Sequence, residues 1–255
     1  MCLILFAHKV HPDYPLVLAG NRDEFYDRPT APAAFWADAP EILAGRDLVG
    51  GGTWLGITRA GRLATVANYR QPAEKHVQGL SRGLLTVDFL CGASTPQSYL
   101  ETVARLGEGC KGFNLLVADG DEFAYYSNRD GVIRRLTPGI YGLSNALLDT
   151  PWPKVAQGKA ALEGLLTAGP PELEALLAIL ADTSRPADHL LPDTGVGLER
   201  ERLLSSRFIA SPDYGTRAST VVLVDRTGRV TFVERSFDRS PQCWQEVRHH
   251  FRLQK

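Results

Sequence analysis

Apolar residues along this chain fall into short blocks separated by polar turns. Met1–Ala7 and Leu16–Ala19 are the first two, and the polar stretch His8–Asp13 between them predicts a β-hairpin. A hairpin returns the end of its second strand to the start of its first. The four residues after Gly20, Asn21-Arg22-Asp23-Glu24, are thereby delivered from the strand's exit to the neighbourhood of Cys2. Thr53–Ile57 and Leu63–Asn68 predict a second hairpin around Arg59-Ala60-Gly61, with Asn68 at its exit. Helical spacing then takes over. Leu84, Leu85, Phe89 and Leu90 share one stripe; Leu100, Val103, Ala104 and Leu106 share another behind Pro96.

Phe113–Ala118, Glu122–Ser127, Gly131–Arg135 and Ile140–Ser144 predict a four-strand meander that ends on Asn145. A second helix pair follows, striped by Val155, Leu162, Leu165 and Leu166 and by Leu173, Leu176, Leu177 and Leu180, with Pro171 in the first turn. Ala187–Arg200 reads as loop, Leu203–Ile209 as a short apolar element and Ser211–Arg217 as a turn. Ser219–Asp225 and Arg229–Ser236 make a last hairpin, and Trp244, Val247 and Phe251 predict a packed terminal helix. The proline-rich segment Thr30–Pro40 reads as an irregular surface loop over the site. Strands, two helices, strands, two helices, strands: this order predicts an α+β fold of two packed, mostly antiparallel sheets covered outside by helices.

Composition narrows the classes. A chain of 255 residues without a linker-like stretch is read as one domain, 1–255. Its net charge of −1, with both signs spread throughout, gives no nucleic-acid footprint. No apolar run approaches the roughly 18 residues of a membrane span, and the first residues lack the basic start of a signal peptide. Cys2, Cys91, Cys110 and Cys243 are scattered, which suits reduced thiols and a cytoplasmic location. Cys91, at a helix end, reads as a packed thiol. The histidines do not cluster apart from His249-His250, so no metal site is expected. Gly50-Gly51-Gly52 lacks the Lys-Ser/Thr of a phosphate loop and reads as a close approach of backbone to another element.

The candidate chemistry lies at the start of the chain. Met1 is the sole methionine and precedes a small residue of the kind that permits its removal. Removal leaves Cys2 with its own α-amine, whose ordinary pKa of about 7.7–8.0 lets it take the thiol proton. Arg22 and Asp23 stand close by, and Asn68 and Asn145, each at a strand exit, are amide donors for a developing oxyanion. The bland alternatives are a cysteine buried in a strand, turn-forming asparagines and a structural ion-pair network.

Met1-Cys2-Leu3-Ile4, Asn21-Arg22-Asp23-Glu24, Gly51-Gly52-Thr53-Trp54-Leu55-Gly56, Tyr141-Gly142-Leu143-Ser144-Asn145 and Tyr214-Gly215-Thr216-Arg217, in this order, closely resemble the NRDE-motif family, the transport and Golgi organisation protein 2 family. More remotely, the layout is similar to the cysteine branch of the N-terminal-nucleophile hydrolases, such as choloylglycine hydrolases and penicillin V acylases. That resemblance implies a four-layer αββα sandwich. It makes Cys2 the nucleophile, Arg22 and Asp23 its orienting groups, and Asn68 and Asn145 the oxyanion donors, with Arg207 as a further arginine. Those enzymes carry Gly-Arg-Asn-x-Asp, whereas here the arginine comes one place later, in Gly20-Asn21-Arg22-Asp23. The NRDE family implies instead roles in haem trafficking and in acyl-coenzyme A or lipid homeostasis. Under that reading no cofactor is required, and an amphipathic ligand (haem, an acyl-coenzyme A or an amide) occupies the site. Arg22, Arg28 or Arg217 pairs with its carboxylate or phosphate groups, Asn21 and Glu24 also bind it, Tyr69, Trp36 and Trp54 wall its apolar part, and Cys2 or His8 approaches a haem iron.

Overall fold

The computed structural model describes residues 2–72, 81–106 and 111–254. It divides into two compact units, one made of the residues up to Asp27 together with Pro138–Phe251, the other of Arg28–Thr137 with the residues from Arg252 onward.

The first unit is a six-stranded sheet in the order β10-β1-β2-β11-β12-β13. Its strands are β1 (Cys2–His8), β2 (Leu16–Phe25), β10 (Gly139–Leu143), β11 (Tyr214–Val224), β12 (Arg229–Phe237) and β13 (Trp244–Arg252). β1 pairs antiparallel with both β2 and β10, and β2 pairs antiparallel with β11. One face is covered by α3 (Pro153–Ala168) and α4 (Leu173–Leu180), and a short helix, α5 (Leu198–Leu203), follows. Leu3, Leu5, Val17, Ala19, Val221 and Leu223 alternate along their strands onto that face and pack against Val155, Leu162, Leu176, Leu177 and Leu180. Gly158 lets α3 close on β1, since a Cβ there would stand 2.7 Å from a Leu5 methyl. β1 is buried along its whole length, which explains why it reads as a continuous apolar run rather than an alternation.

The second unit is a seven-stranded antiparallel meander in chain order, β3 (Thr30–Phe35), β4 (Ile42–Asp47), β5 (Leu55–Thr58), β6 (Leu63–Asn68), β7 (Phe113–Asp119), β8 (Glu122–Ser127) and β9 (Ile133–Arg135). Helices α1 (Arg82–Cys91) and α2 (Pro96–Leu106) place Leu85, Phe89, Leu90, Tyr99, Leu100 and Val103 against Ile42, Ala64, Val66, Phe113, Leu115 and Val117. Gly52 sits against Gly83 at the start of α1, and a Cβ on Gly52 would fall 2.2 Å from the Gly83 carbonyl carbon. The glycine run is thus the close backbone approach expected of it.

Two antiparallel sheets with helices in separate pairs agree with the predicted α+β class. Several local expectations need correction. The charged tetrad does not follow β2 but lies inside it, because β11 continues the pairing out to Phe25. The meander has three strands of the expected four, and β10 leaves it to pair with β1. Thr30–Pro40 is half strand, with Pro32 tolerated because β3 is the sheet's edge. Tyr214–Arg217 is the start of β11 rather than a turn, and Pro171 precedes the α4 cap residue, Glu172. The terminal segment is the edge strand β13, not a helix: Val247, His249 and Phe251 are half-buried while Arg248, His250 and Arg252 are exposed, an alternation of period two. Within Ala187–Arg200, a 3₁₀ turn forms at Asp188–Leu190 and α5 begins at Leu198. Cys91 is exposed instead of packed. Among the described residues, no helix is long and apolar enough to cross a membrane.

Candidate functional site

Cys2 opens β1 and is directly opposite Arg22 of β2. Cross-strand partners project to one side of a sheet, so thiol and guanidinium share the face away from Leu3, Ala19 and Asn21. Both are buried. Burial pushes the Cys2 thiol above its ordinary value, and the nearby Asp23 carboxylate pushes the same way; the Arg22 guanidinium and a hydrogen bond from the Asp23 backbone amide pull against them without reversing the result. A buried thiol in this setting is protonated at neutral pH. It needs a base before it can act as a nucleophile.

The other edge of β1 is held by the residues after β10. Ile4 pairs with Leu143, and Ser144 Oγ donates to the Cys2 carbonyl at 3.0 Å, with Asn145 Oδ1 a second acceptor at 3.3 Å. Accepting at Oδ1 leaves Nδ2 as the donor end of the Asn145 amide. Asn145 is 1% exposed, so that donor belongs to a fixed interior group.

On β11 the register slips by one. Thr216 pairs with Asp23, yet Ala218, not Arg217, pairs with Arg22. Arg217 is the extra residue of this β-bulge, and its Nη1 donates to the Phe25 and Tyr26 carbonyls at 2.7 and 3.0 Å. Thr216 Oγ1 donates to Asp23 Oδ1 at 2.7 Å, and Tyr214 Oη donates to the Asp23 carbonyl at 3.0 Å. Asn21 faces the helices. Its Nδ2 donates to the carbonyls of Leu180 (2.9 Å) and Arg207 (2.8 Å), and its Oδ1 accepts from Ser219 Oγ at 2.6 Å. Leu180 is the last residue of α4, so Asn21 satisfies a helix-end carbonyl. Arg207 pairs with Asp182. Glu24 is half-buried and accepts from the Phe25 backbone amide at 2.9 Å.

The first unit therefore gathers Cys2, Arg22, Asp23 and Asn145 of the expected set. Asn21 and Arg217 bond the protein's own carbonyls. Arg28, Trp54, Asn68 and Tyr69 belong to the second unit. There Arg28 engages Asp47 through Nε (3.0 and 3.2 Å) and Nη2 (2.8 Å). Asn68 ends β6 opposite Phe113, Tyr69 follows it, and the Trp54 carbonyl accepts from Thr65 Oγ1 at 2.8 Å. Trp36 is buried in the helix-facing core, with its Nε1 on the Ala44 carbonyl at 3.0 Å. His8 lies at the other end of β1 from Cys2. The second unit also carries a cleft of about 310 Å³ lined by Ala39, Ile42, Ala60, Arg62, Leu90 and Cys91. Its guanidinium is already engaged with Asp119 and with the Phe89 and Ser94 carbonyls.

Sequence reasoning passed over Thr216 and Ser144. Both hydroxyls lie inside the quoted motifs, one residue before Arg217 and one before Asn145, and a small hydroxyl beside a candidate residue was the available signal. No group of three or more His, Cys, Asp or Glu among the described residues is arranged to hold a metal.

The architecture is similar to that of the C2A mutant of the conjugated bile acid hydrolase from Clostridium perfringens, with a TM-score of 0.54 and 7% identity over 99% of this chain and 92% of that one. At that identity the likeness concerns the fold alone. Sequence relatives are much nearer. The chain is 43% identical over 279 residues to the Transport and Golgi organization protein 2 homolog of Bos taurus and 41% identical over 278 to that of Homo sapiens, in both cases over the whole of each chain. It is 30% identical over 266 residues to the Drosophila melanogaster protein of that name, covering 92% of this chain and 91% of that one. The family model for Transport and Golgi organisation 2 matches residues 1–239, from Cys2 through the tetrad to the end of β12, and the chain belongs to that family.

Proposed function

We propose that this protein is an N-terminal-nucleophile hydrolase of an amide or acyl thioester, with Cys2 as nucleophile after removal of Met1. The observation that carries this reading is the setting of Cys2: a buried thiol facing Arg22, bonded by the Asp23 amide, with its carbonyl held by Ser144. The fold is that of a hydrolase studied as its C2A mutant.

The chemistry follows from the thiol being held neutral. A freed α-amine on Cys2 takes the thiol proton, and the thiolate attacks the substrate carbonyl carbon. Asn145 Nδ2 donates to the oxyanion that forms. The C–N or C–S bond then breaks, the leaving group departs with the proton, and water hydrolyses the Cys2 acyl ester of sulfur to regenerate the thiol. Arg22 holds the negative charge of the thiolate, and Asp23 orients the amine. No cofactor enters these steps. The experiment is intact-mass analysis of the purified protein before and after exposure to acyl thioesters and amides. The expected result is loss of Met1 and a mass increase of one acyl group on Cys2; retained Met1 with an inert Cys2 sinks the reading.

A second reading is a carrier of haem or an acyl-coenzyme A, favoured by the burial that keeps the thiol protonated and by the transport role in the family's name. It predicts saturable titration by one of those ligands that survives Cys2→Ser. A cytoplasmic site of action suits either reading, since Cys91 and Cys243 are free and exposed.

A further inference from the structure

Thr216 has no place in either reading so far. Its side chain is fully buried and makes two hydrogen bonds with a definite direction. The Ile209 backbone amide donates to Thr216 Oγ1 at 2.9 Å, and Thr216 Oγ1 lies 2.7 Å from Asp23 Oδ1. An N–H has nothing to accept with, so the hydroxyl must receive from Ile209, and its single proton is left to point at the carboxylate. The main chain repeats the tie, with the Thr216 amide donating to the Ile209 carbonyl at 2.8 Å. The β-bulge places this hydroxyl. Without the extra residue at Arg217, the partner of Arg22 and the partner of Asp23 would be consecutive residues, and Thr216 would not stand where it does.

We propose that Thr216 is a positioning residue for the Cys2 site: a hydroxyl locked by Ile209 that fixes the rotamer and the ionised form of Asp23, so that this carboxylate is aimed for the α-amine that activates the thiol. The inference rests on the hydrolase reading. A donated proton from a neutral hydroxyl favours the charged carboxylate over the carboxylic acid. Gly215 belongs to the same device. A Cβ on it would meet Tyr26 Oη at 2.1 Å and the Ile209 carbonyl at 2.4 Å, so only glycine lets β11 approach the Ile209 segment closely enough for the hydroxyl to be gripped.

Among the described residues, the groups that titrate or carry charge around Asp23 include Cys2 on β1, Arg22 beside it on β2, Tyr214 on β11 and Tyr26, with Arg217 and Arg239 near Tyr26. Of these, the thiol reports directly. The test compares Thr216→Val, which keeps the shape and removes the hydroxyl, with Thr216→Ser, which keeps the hydroxyl, in the full chain. Alkylation of Cys2 by iodoacetamide is followed by peptide mass from pH 5 to pH 10. The valine variant is expected to alkylate at Cys2 about tenfold more slowly near neutral pH, the order expected when a reacting group is misplaced. The rate falls because the carboxylate is no longer held in place for the amine; the serine variant keeps the profile of the parent. In an Asp23→Asn background, Thr216→Val is expected to add nothing.

A valine variant whose Cys2 profile matches the parent at every pH, with only its melting temperature lowered, overturns the proposal and leaves Thr216 a structural brace. So does an equal effect of the valine substitution with Asn at position 23. If valine prevents folding, Thr216→Ala carries the same comparison. Acyl thioester is tested in parallel: a parent chain that alkylates at Cys2 but never takes an acyl group ends the hydrolase reading, while Thr216 is still judged by the alkylation profile.

Discussion

Asn21 commits its entire amide to the protein, with two donors on the Leu180 and Arg207 carbonyls and its oxygen on Ser219. Replacing it with alanine strands three buried polar partners, so Asn21→Ala is expected to cost about 2–3 kcal/mol in urea unfolding. Asn21→Asp is expected to cost more, since a carboxylate would face two carbonyl oxygens. Gly215→Ala is expected to destabilise by about 1–3 kcal/mol, the usual range for forcing extra atoms into a packed interior, because its Cβ has Tyr26 and Ile209 atoms within 2.4 Å. At this scale the sequence exposed which residues were unusual but not what each one does. The tetrad stood out because four polar residues adjoin an apolar run. The split inside it, with Arg22 on the thiol's side and Asn21 on the helices' side, depends on partners 159 to 198 positions away. Strand alternation could have separated Asn21 from Arg22, had the strand been carried through the tetrad rather than ended before it.

Between residues and the whole lie the turns and strands, and the Asp47–Gly52 turn is tightly specified, with the Val49 and Gly50 amides on the Asp47 carboxylate. Gly52 touches the backbone at the start of α1, and Gly52→Ala is expected to lower stability by about 2–3 kcal/mol by forcing that helix start away. Asp47 governs the same turn. Burial alone would raise its carboxyl, but the Arg28 guanidinium and the Gly50 and Val49 amides outweigh burial and hold it below the usual carboxylate range. A depressed carboxyl contributes stability above its unfolded pKa of about 3.9 and loses it as pH falls through the lower folded value. Asp47→Asn should therefore reduce stability at neutral pH and flatten the acid limb of the stability profile, read by thermal melts from pH 7 down to pH 2. The four longer helices, α1 to α4, were legible because each shows a stripe of period 3.6 bounded by glycine or proline, whereas α5 begins in a stretch that reads as loop. β10 was legible as a strand but not by its partner, since nothing local tells a fourth hairpin strand from one that leaves the sheet. β13 misled because Trp244, Val247 and Phe251 fit a helical stripe, while its alternation is carried by charged residues that a search for apolar periodicity ignores.

For the molecule as a whole, the cysteines offer a direct readout. Cys91 and Cys243 are exposed, while Cys2 is buried with its thiol pushed up. Under native conditions at pH 7 with Met1 in place, a disulfide reagent is expected to label Cys91 and Cys243 promptly and Cys2 only on unfolding; prompt labelling of Cys2 would contradict its burial. The fold class was legible from the order of strands and helix pairs. The division into two units was not, because the unit that holds Cys2 is assembled from both ends of the chain, with Arg28–Thr137 set between them. That arrangement has a consequence in time. A ribosome delivers β1 and β2 first, but β10 emerges more than a hundred residues later, and β11, which flanks the tetrad, after some two hundred. Throughout that interval β2 is the one strand of its own sheet that the first strand can pair with. Once β10 and β11 have joined, Cys2 is enclosed. The enclosure of Cys2 is thus a late event of synthesis, set by strands that arrive long after its own hairpin.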